Sequence, residues 1–459
     1  MQRNQDPPRA YPGDYSTDLV TTASLNFLDE AIPEGKPFFV RVAPIGPHSE
    51  TINGQFNPTI PADRHKDFFP GLKVSRTDNF NPDTTSGASW IKTLQKLNQT
   101  VVDYLDEIYR LRVLSLQAVD ELVDSIVRHL EKSLAVLENT YIIYTTDNGF
   151  HAGQHRLAPR KTSPFEEGLN IPFIIRGPGV EKGKTASVRT SHVDIAPTIF
   201  ELAGIPLQGD FDGLPMPVTK AQQEAVKAYK TEHANIEFGE GAFLRVDFQE
   251  MALELSTLKS DPGQMVNLYD TSNRGSSSIY GWEAQKLISR LDAFLLTLKT
   301  CKGASCCRPW STLHPKGDVL SFEQAMNPKF DKYYAEDQNK VSFSVCVGGF
   351  ITEYEGGDGA EAIPRRALRH TSPGSTGGLD VTGPQEHTRT ALCWLGPLVI
   401  LHIPRCAEPE ADVTQPPIMS KEQTTIRGKY SAGLGVQVTL QLRHAPLKAP
   451  PFAGGYLRR

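Results

Sequence analysis

The sequence predicts an α/β fold: a mostly parallel sheet flanked by helices, followed by a smaller α+β subdomain. From about Tyr11 to Pro206, short apolar runs alternate with segments of helical apolar spacing. Two of those runs end in clusters of polar residues, where an open α/β sheet gathers its reacting groups. The 459 residues, 39% apolar and 22% charged, suffice to bury more than one core.

Thr17 to Ile32 sets Leu19, Val20, Ala23, Leu25, Phe27 and Leu28 at helical spacing. Pro37 to Pro44 then reads as a buried strand closed by a proline. Ile45 to Gln99 is irregular and rich in Pro, Asn, Asp and Gly, and loops of that length are functional or locally folded. Between Val102 and Leu137, Leu105, Ile108, Leu116, Val119, Leu122, Ile126 and Leu130 recur on one face, the strongest helical signal in the chain. Tyr141 to Thr146 is a strand that stops at Asp147-Asn148-Gly149, and Ile171 to Arg176 is another, stopped by Gly-Pro-Gly. Asp194 is expected to cap a helix running to Leu202, with Pro197 in its first turn. Glu283 to Leu298 is an amphipathic helix and Val341 to Val345 a strand. After about Glu355 the periodicity fades into Gly, Pro, Thr and Arg, and little fixed structure is expected. The chain thus divides into residues 1–225, a smaller unit at 226–355, and a low-order tail at 356–459.

A formal charge of −5 is mild for this length and argues against a nucleic-acid partner, which would call for a basic face. Residues 360–459 nevertheless carry 12 Lys/Arg against 7 Asp/Glu, a tail of different character from the rest. The longest apolar run, Ala391 to Ile403, is interrupted by Gly396, Pro397 and His402 and is too short to span a bilayer, so no membrane role is expected. The residues after Met1 are polar and show no signal peptide. All six cysteines lie beyond residue 300. Cys301 and Cys306 share a polar loop that suits a small disulfide of a secreted protein, whereas a zinc site would need a CxxC pair or interleaved His that the loop lacks. The sequon Asn98-Gln99-Thr100 is compatible with secretion. Trp90 and Trp282 read as core or substrate-wall aromatics.

Taken alone, His48 is a loop histidine between prolines and polar residues, and Asp147-Asn148-Gly149 is a turn. Their surroundings change that reading. An Asp carboxylate beside an Asn amide oxygen suits a hard divalent cation, and Phe150-His151-Ala152-Gly153-Gln154-His155-Arg156 with Lys161 follows at once. A Lys and a His near such a cation suit an oxyanion that bridges to it.

The run from Tyr144 through Asp147-Asn148-Gly149 to Arg156, then Lys161, Phe165-Glu166-Glu167 and Asn170-Ile-Pro-Phe-Ile-Ile-Arg-Gly-Pro-Gly-Val180, resembles the sulfatase family. Lys36-Pro-Phe-Phe39, Ala43-Pro-Ile-Gly-Pro-His48, Ser115-Leu-Gln-Ala-Val-Asp120-Glu121-Leu-Val-Asp124 and Ser191-His-Val-Asp194-Ile-Ala-Pro-Thr198 agree with it in order and spacing. The likeness covers about residues 11–350 and is nearest to fungal arylsulfatases, close to the N-acetylglucosamine-6-sulfatase branch. It implies an alkaline-phosphatase-like α/β fold, hydrolysis of small-molecule or glycan sulfate esters, and a secreted or vacuolar location. Under it, Asp147 and Asn148 match a pair of calcium ligands, while Lys161 and His48 match the residues that contact the sulfate. His151 and His155 lie near that site by sequence, with no role carried over to them.

The resemblance also implies parts that do not occur before His48. The family's nucleophile is a formylglycine made from the Cys or Ser of a C/S-x-P-x-R motif, accompanied upstream by an Asp-Asp metal pair and a Lys-x-His. Cys307-Arg308-Pro309-Trp310-Ser311 is a near-miss, with Ser where the motif needs Arg. The expectation is therefore an N-terminally truncated sulfatase that is inactive as it stands, since no covalent intermediate can form. Metal affinity should be poor, because Asp147 and Asn148 offer two ligand groups where calcium takes roughly six to eight oxygens. Missing first strands would leave open sheet edges. The stretch Phe238 to Leu258 is also shorter than the family's. Two other readings stand beside this one: a catalytically dead relative that binds sulfated glycan, and a phosphoryl hydrolase of the same superfold.

Overall fold

The structure, a computed structural model, describes residues 1–52, 55–85, 89–161, 163, 165–186, 188–225, 261–267, 278–279, 282–340 and 398–403. Its strands are β1 (Phe38–Val42), β2 (Glu50–Ile52), β3 (Gln55–Asn57), β4 (Thr140–Thr145), β5 (Phe173–Arg176), β6 (Ser278–Ile279), β7 (Trp282–Glu283) and β8 (Leu398–His402). The helices are α1 (Ser16–Ala31), α2 (Ser89–Lys92), α3 (Gln99–Glu131), α4 (Leu134–Leu137), α5 (Glu166–Leu169) and α6 (Ile195–Leu202). After them come α7 (Lys220–Ala225), α8 (Ala284–Thr300), α9 (Ala304–Cys307), α10 (Pro309–Leu313) and α11 (Phe322–Ala325).

The α/β class holds, and the strand pairing differs from the expected parallel one. The main sheet runs in the order β1-β8-β4-β5, and each of its three ladders is antiparallel. Phe38 and Thr140 both face His402, while Val42 and Tyr144 both face Leu398. β1 and β4 therefore run the same way, and β8 lies between them in the opposite sense. The second antiparallel ladder has a different cause. Among its described residues the segment from β4 to β5 holds the short helix α5 and no crossover helix, so the chain returns beside β4 antiparallel.

β8 also corrects the reading of the tail. Residues 398–402, placed in the low-order segment, form a strand buried along its whole length. Two clues lay in the sequence: the uninterrupted Leu-Val-Ile-Leu run and its lack of alternation, which suits a strand covered on both faces. The other described tail residue, Ile403, continues the pairing through its N–H to the Asn139 carbonyl, 2.8 Å.

Successive side chains of a strand point to opposite faces, and each face here meets helices. On one side Val40, Ile142 and Ile400 pack with Leu28 of α1 and Leu122, Ile126 and Leu130 of α3. On the other, Ile143, Val399 and Leu401 pack with Ile195 and Ile199 of α6. The long apolar stripe forms α3 as far as Glu131, while Leu134–Leu137, expected in the same helix, form the separate short helix α4; Asn98 caps α3, its side chain accepting from the Val101 N–H at 3.0 Å. Asp194 acts differently from the simple cap expected of it. One carboxylate oxygen accepts from the Ser191 N–H at 2.8 Å, in a capping box of the preceding 3-10 turn. The other accepts from Leu214 N–H at 2.9 Å.

The smaller unit has its own core, in which Phe294 and Leu298 of α8 meet Trp310, Leu313 and Tyr334. Arg290 is buried there, 2.5 Å from Asp331 and stacked over the Tyr334 ring. Cys301 and Cys306 form the expected disulfide. The strand expected at 341–345, the short stretch 238–258, Cys346, Cys393, Cys406 and the side chain of Trp90 lie outside the described residues. Trp282 is partly exposed.

Candidate active site

β4 is buried on both faces until Thr145, and the chain then emerges at Asp147, which is exposed. Asp147 Oδ1 accepts from the Asn148 N–H at 3.0 Å, closing a tight local turn. The Asn148 amide group donates to the Gly149 carbonyl at 2.7 Å, which fixes its orientation and leaves Oδ1 as the outward acceptor. Lys161 Nζ lies 3.3 Å from that Oδ1. The structure therefore brings Asp147, Asn148 and Lys161 together.

The segment after this turn is held by backbone pairing. Gly149 N–H donates to Gly168 O at 3.0 Å and Phe150 N–H to Glu167 O at 2.7 Å. The approach is so close that a Cβ on Gly149 would lie 1.9 Å from the Glu167 carbonyl oxygen. Glu167 is itself anchored, its Oε1 accepting from the Asn79 amide at 2.8 Å. Asn79 O in turn accepts from the His155 N–H at 2.7 Å.

His151 and His155 are both buried. His151 exchanges backbone hydrogen bonds with Arg160, which folds the intervening loop back and delivers Lys161 to Asn148. Burial holds the His151 imidazole neutral, pushing its pKa down to about 4. His155 adopts a left-handed backbone conformation (φ 52°) and stacks on Phe165 at 3.7 Å between ring centroids. Burial lowers its pKa as well. Both histidines position the loop through backbone and ring contacts.

His48 sits on an exposed loop after β1, with its Nδ1 directed to the Ser49 carbonyl at 2.7 Å. Arg112 of α3 ties this loop to the Asp147–Asn148 turn. One guanidinium N–H donates to Pro47 O at 3.0 Å, and the guanidinium carbon lies 3.8 Å from the centroid of the Phe150 ring. The same loop rests on α3 a turn later, where a Cβ on Gly46 would lie 2.8 Å from Ser115 Oγ. Arg112, Asn79 and Glu167 were not singled out in the sequence. Arg112 did leave a signal, since it falls on the stripe of Leu105, Ile108, Ser115 and Val119 and is a cation where that face is otherwise covered.

The donor chemistry at Asp147 and Asn148 is of the type calcium takes, but the number is short. Among the described residues no group of three or more His, Cys, Asp or Glu side chains is arranged to hold a metal ion. Asp147 and Asn148 would supply two of the oxygens such an ion needs. Among the described residues no helix is long and apolar enough to cross a membrane.

Comparison with known proteins identifies the class. Residues 1–205 match the sulfatase family model. The sulfatase ppz1 of Metarhizium majus is 44% identical over 351 residues, covering 75% of this chain and 80% of that protein. The arylsulfatase of Volvox carteri is 34% identical over 397 residues, covering 73% and 58% of the two chains. The human N-acetylglucosamine-6-sulfatase is 27% identical over 345 residues, covering 65% and 58%. The chain belongs to the sulfatase family. It spans 58% of the length of its algal and human relatives.

Proposed function

We propose that this protein serves the hydrolysis of sulfate monoesters, with Lys161 and His48 contacting the sulfate and Asp147 and Asn148 contributing to a divalent cation site. The observation that carries this reading is Lys161 Nζ lying 3.3 Å from Asn148 Oδ1. A cation and an outward amide oxygen on one spot suit an oxyanion shared between an ammonium group and a metal ion. In the overall reaction water is consumed, the ester S–O bond is broken, and alcohol and sulfate leave. Lys161 would balance charge on the sulfuryl oxygens and His48 would hold one of them by a hydrogen bond. The calcium ion and formylglycine typical of the family would supply Lewis acidity and the nucleophile. The substrate class is a small-molecule or glycan sulfate ester. The Cys301–Cys306 disulfide supports a secreted or vacuolar setting.

A second reading, a relative that binds sulfated glycan without turnover, shares the same Lys161–Asn148 geometry. One experiment separates the two. The native protein is assayed with an aryl sulfate and an aryl phosphate, and its peptides are mapped for formylglycine. Sulfate turnover with a formylglycine peptide supports the hydrolase. Faster turnover of the phosphate would move the reading to phosphoryl transfer, and sulfate binding without turnover would favour the binder.

A further inference from the structure

We infer that Arg112 is a positioning residue that clamps the His48 loop to the Asp147–Asn148 turn, so that the two parts of the oxyanion site form together. The inference rests on the site assignment above and deepens it. β1 and β4 are not neighbours in the sheet, because β8 lies between them, so strand pairing does not fix the loops that follow them against each other. Arg112 reaches both: it hydrogen-bonds the carbonyl of Pro47, the residue before His48, and covers Phe150, two residues after Asn148. A planar guanidinium is suited to this double contact, donating at its edge and stacking with its face. The scaffold beneath it is α3, the longest helix, where Gly46 also rests on Ser115.

Its charge adds a second effect. Among the described residues Arg112 has no carboxylate partner, and burial pushes its pKa down to about 10, so it remains a cation near neutral pH. A half-buried cation with no carboxylate partner among the described residues is costly, and an anion binding nearby offsets that cost. The clamp therefore also favours an anionic occupant beside His48.

The test measures the affinity of the full chain for inorganic sulfate at constant ionic strength, alongside thermal stability, for wild type, Arg112→Lys, Arg112→Gln and Phe150→Leu. Arg112→Gln should weaken sulfate binding about tenfold, the loss of one charge-assisted contact. Arg112→Lys, which keeps the charge but not the planar fork, should recover only part of it. The Phe150→Leu change should add little in the Arg112→Gln background, because both break one clamp. If wild type binds sulfate and the Arg112 variants bind as tightly, the clamp is wrong and the site assignment stands. If wild type binds no sulfate, the site assignment fails and the clamp with it. Affinity losses that merely track a falling melting temperature would likewise overturn the clamp in favour of a structural role.

Discussion

Each residue at the candidate site has a distinct physical cost, and substitutions read those costs separately. In a complete chain that turns over sulfate esters, Lys161→Ala removes the cation beside Asn148 Oδ1 and should lower turnover by up to about 2–4 kcal/mol of transition-state stabilisation, with little change in melting temperature because the side chain is exposed. Asp147→Ala should lower cation affinity and turnover together. Gly149→Ala is different in kind. Its Cβ would fall 1.9 Å from the Glu167 carbonyl, so the two paired segments must separate, at a cost of about 1–3 kcal/mol in chemical denaturation. His151 sets a pH dependence. Its folded pKa of about 4 lies below the 6.5 of a free imidazole, so the unfolded chain takes up the proton first. Its contribution, about 3 kcal/mol, is fully present above pH 6.5 and is lost as pH falls towards 4. His151→Gln should flatten the denaturation midpoint between those two pH values, and an unchanged slope would count against it. The types of these residues were legible in the sequence, as was the juxtaposition of Asp147 with Asn148. That Lys161 would share a site with Asn148 was implied by the family resemblance and not by side-chain patterning, because its return depends on the His151–Arg160 backbone pairing.

At the scale of elements, apolar periodicity gave α1, α8, β1, β4 and β5 to within a few residues, and ran the long helix on through the break that separates α3 from α4. Periodicity says which faces are buried and nothing about which strand lies beside which. The alternation of strands and helices therefore led to a parallel sheet, whereas the neighbours found are antiparallel. Asp194 shows the same limit at a helix start. Its residue type was right for capping, but the partner it takes, Leu214, comes from outside the element. β8 is where an element-level prediction bears hardest. Ile400 is fully buried against α1 and α3, and Ile400→Ala should cost about 2–5 kcal/mol in equilibrium unfolding. A near-neutral result would mean that β8 does not occupy the slot.

At the scale of the whole molecule, the sheet between α1, α3 and α6 and the core around α8 and α10 are separate hydrophobic units. They touch where Gly303 N–H donates to Asp212 Oδ1 at 2.6 Å, beside the disulfide loop. Removing residues 356–459 should take β8 out of the sheet and expose the facing edges of β1 and β4. The expected result is an aggregating product with no cooperative melt, read by light scattering and calorimetry. A soluble, cooperatively melting 1–355 protein would show that the sheet closes without the tail.

The position of β8 also bears on how the molecule is made. Thr140 and His402 are hydrogen-bonded across a sequence separation of 262 residues. During synthesis, β1 and β4 are complete long before the segment that pairs with both of them leaves the ribosome. At a usual elongation rate of about 5–20 residues per second, the sheet stands open for roughly 13 to 50 seconds. Contacts of such high sequence separation close late and slowly. The nascent chain should therefore need chaperones over that interval, and protease pulses on ribosome-arrested chains should cut near β4 until residues past 402 have emerged. Early protection of β4 in chains arrested before residue 398 would show that another segment fills the gap first.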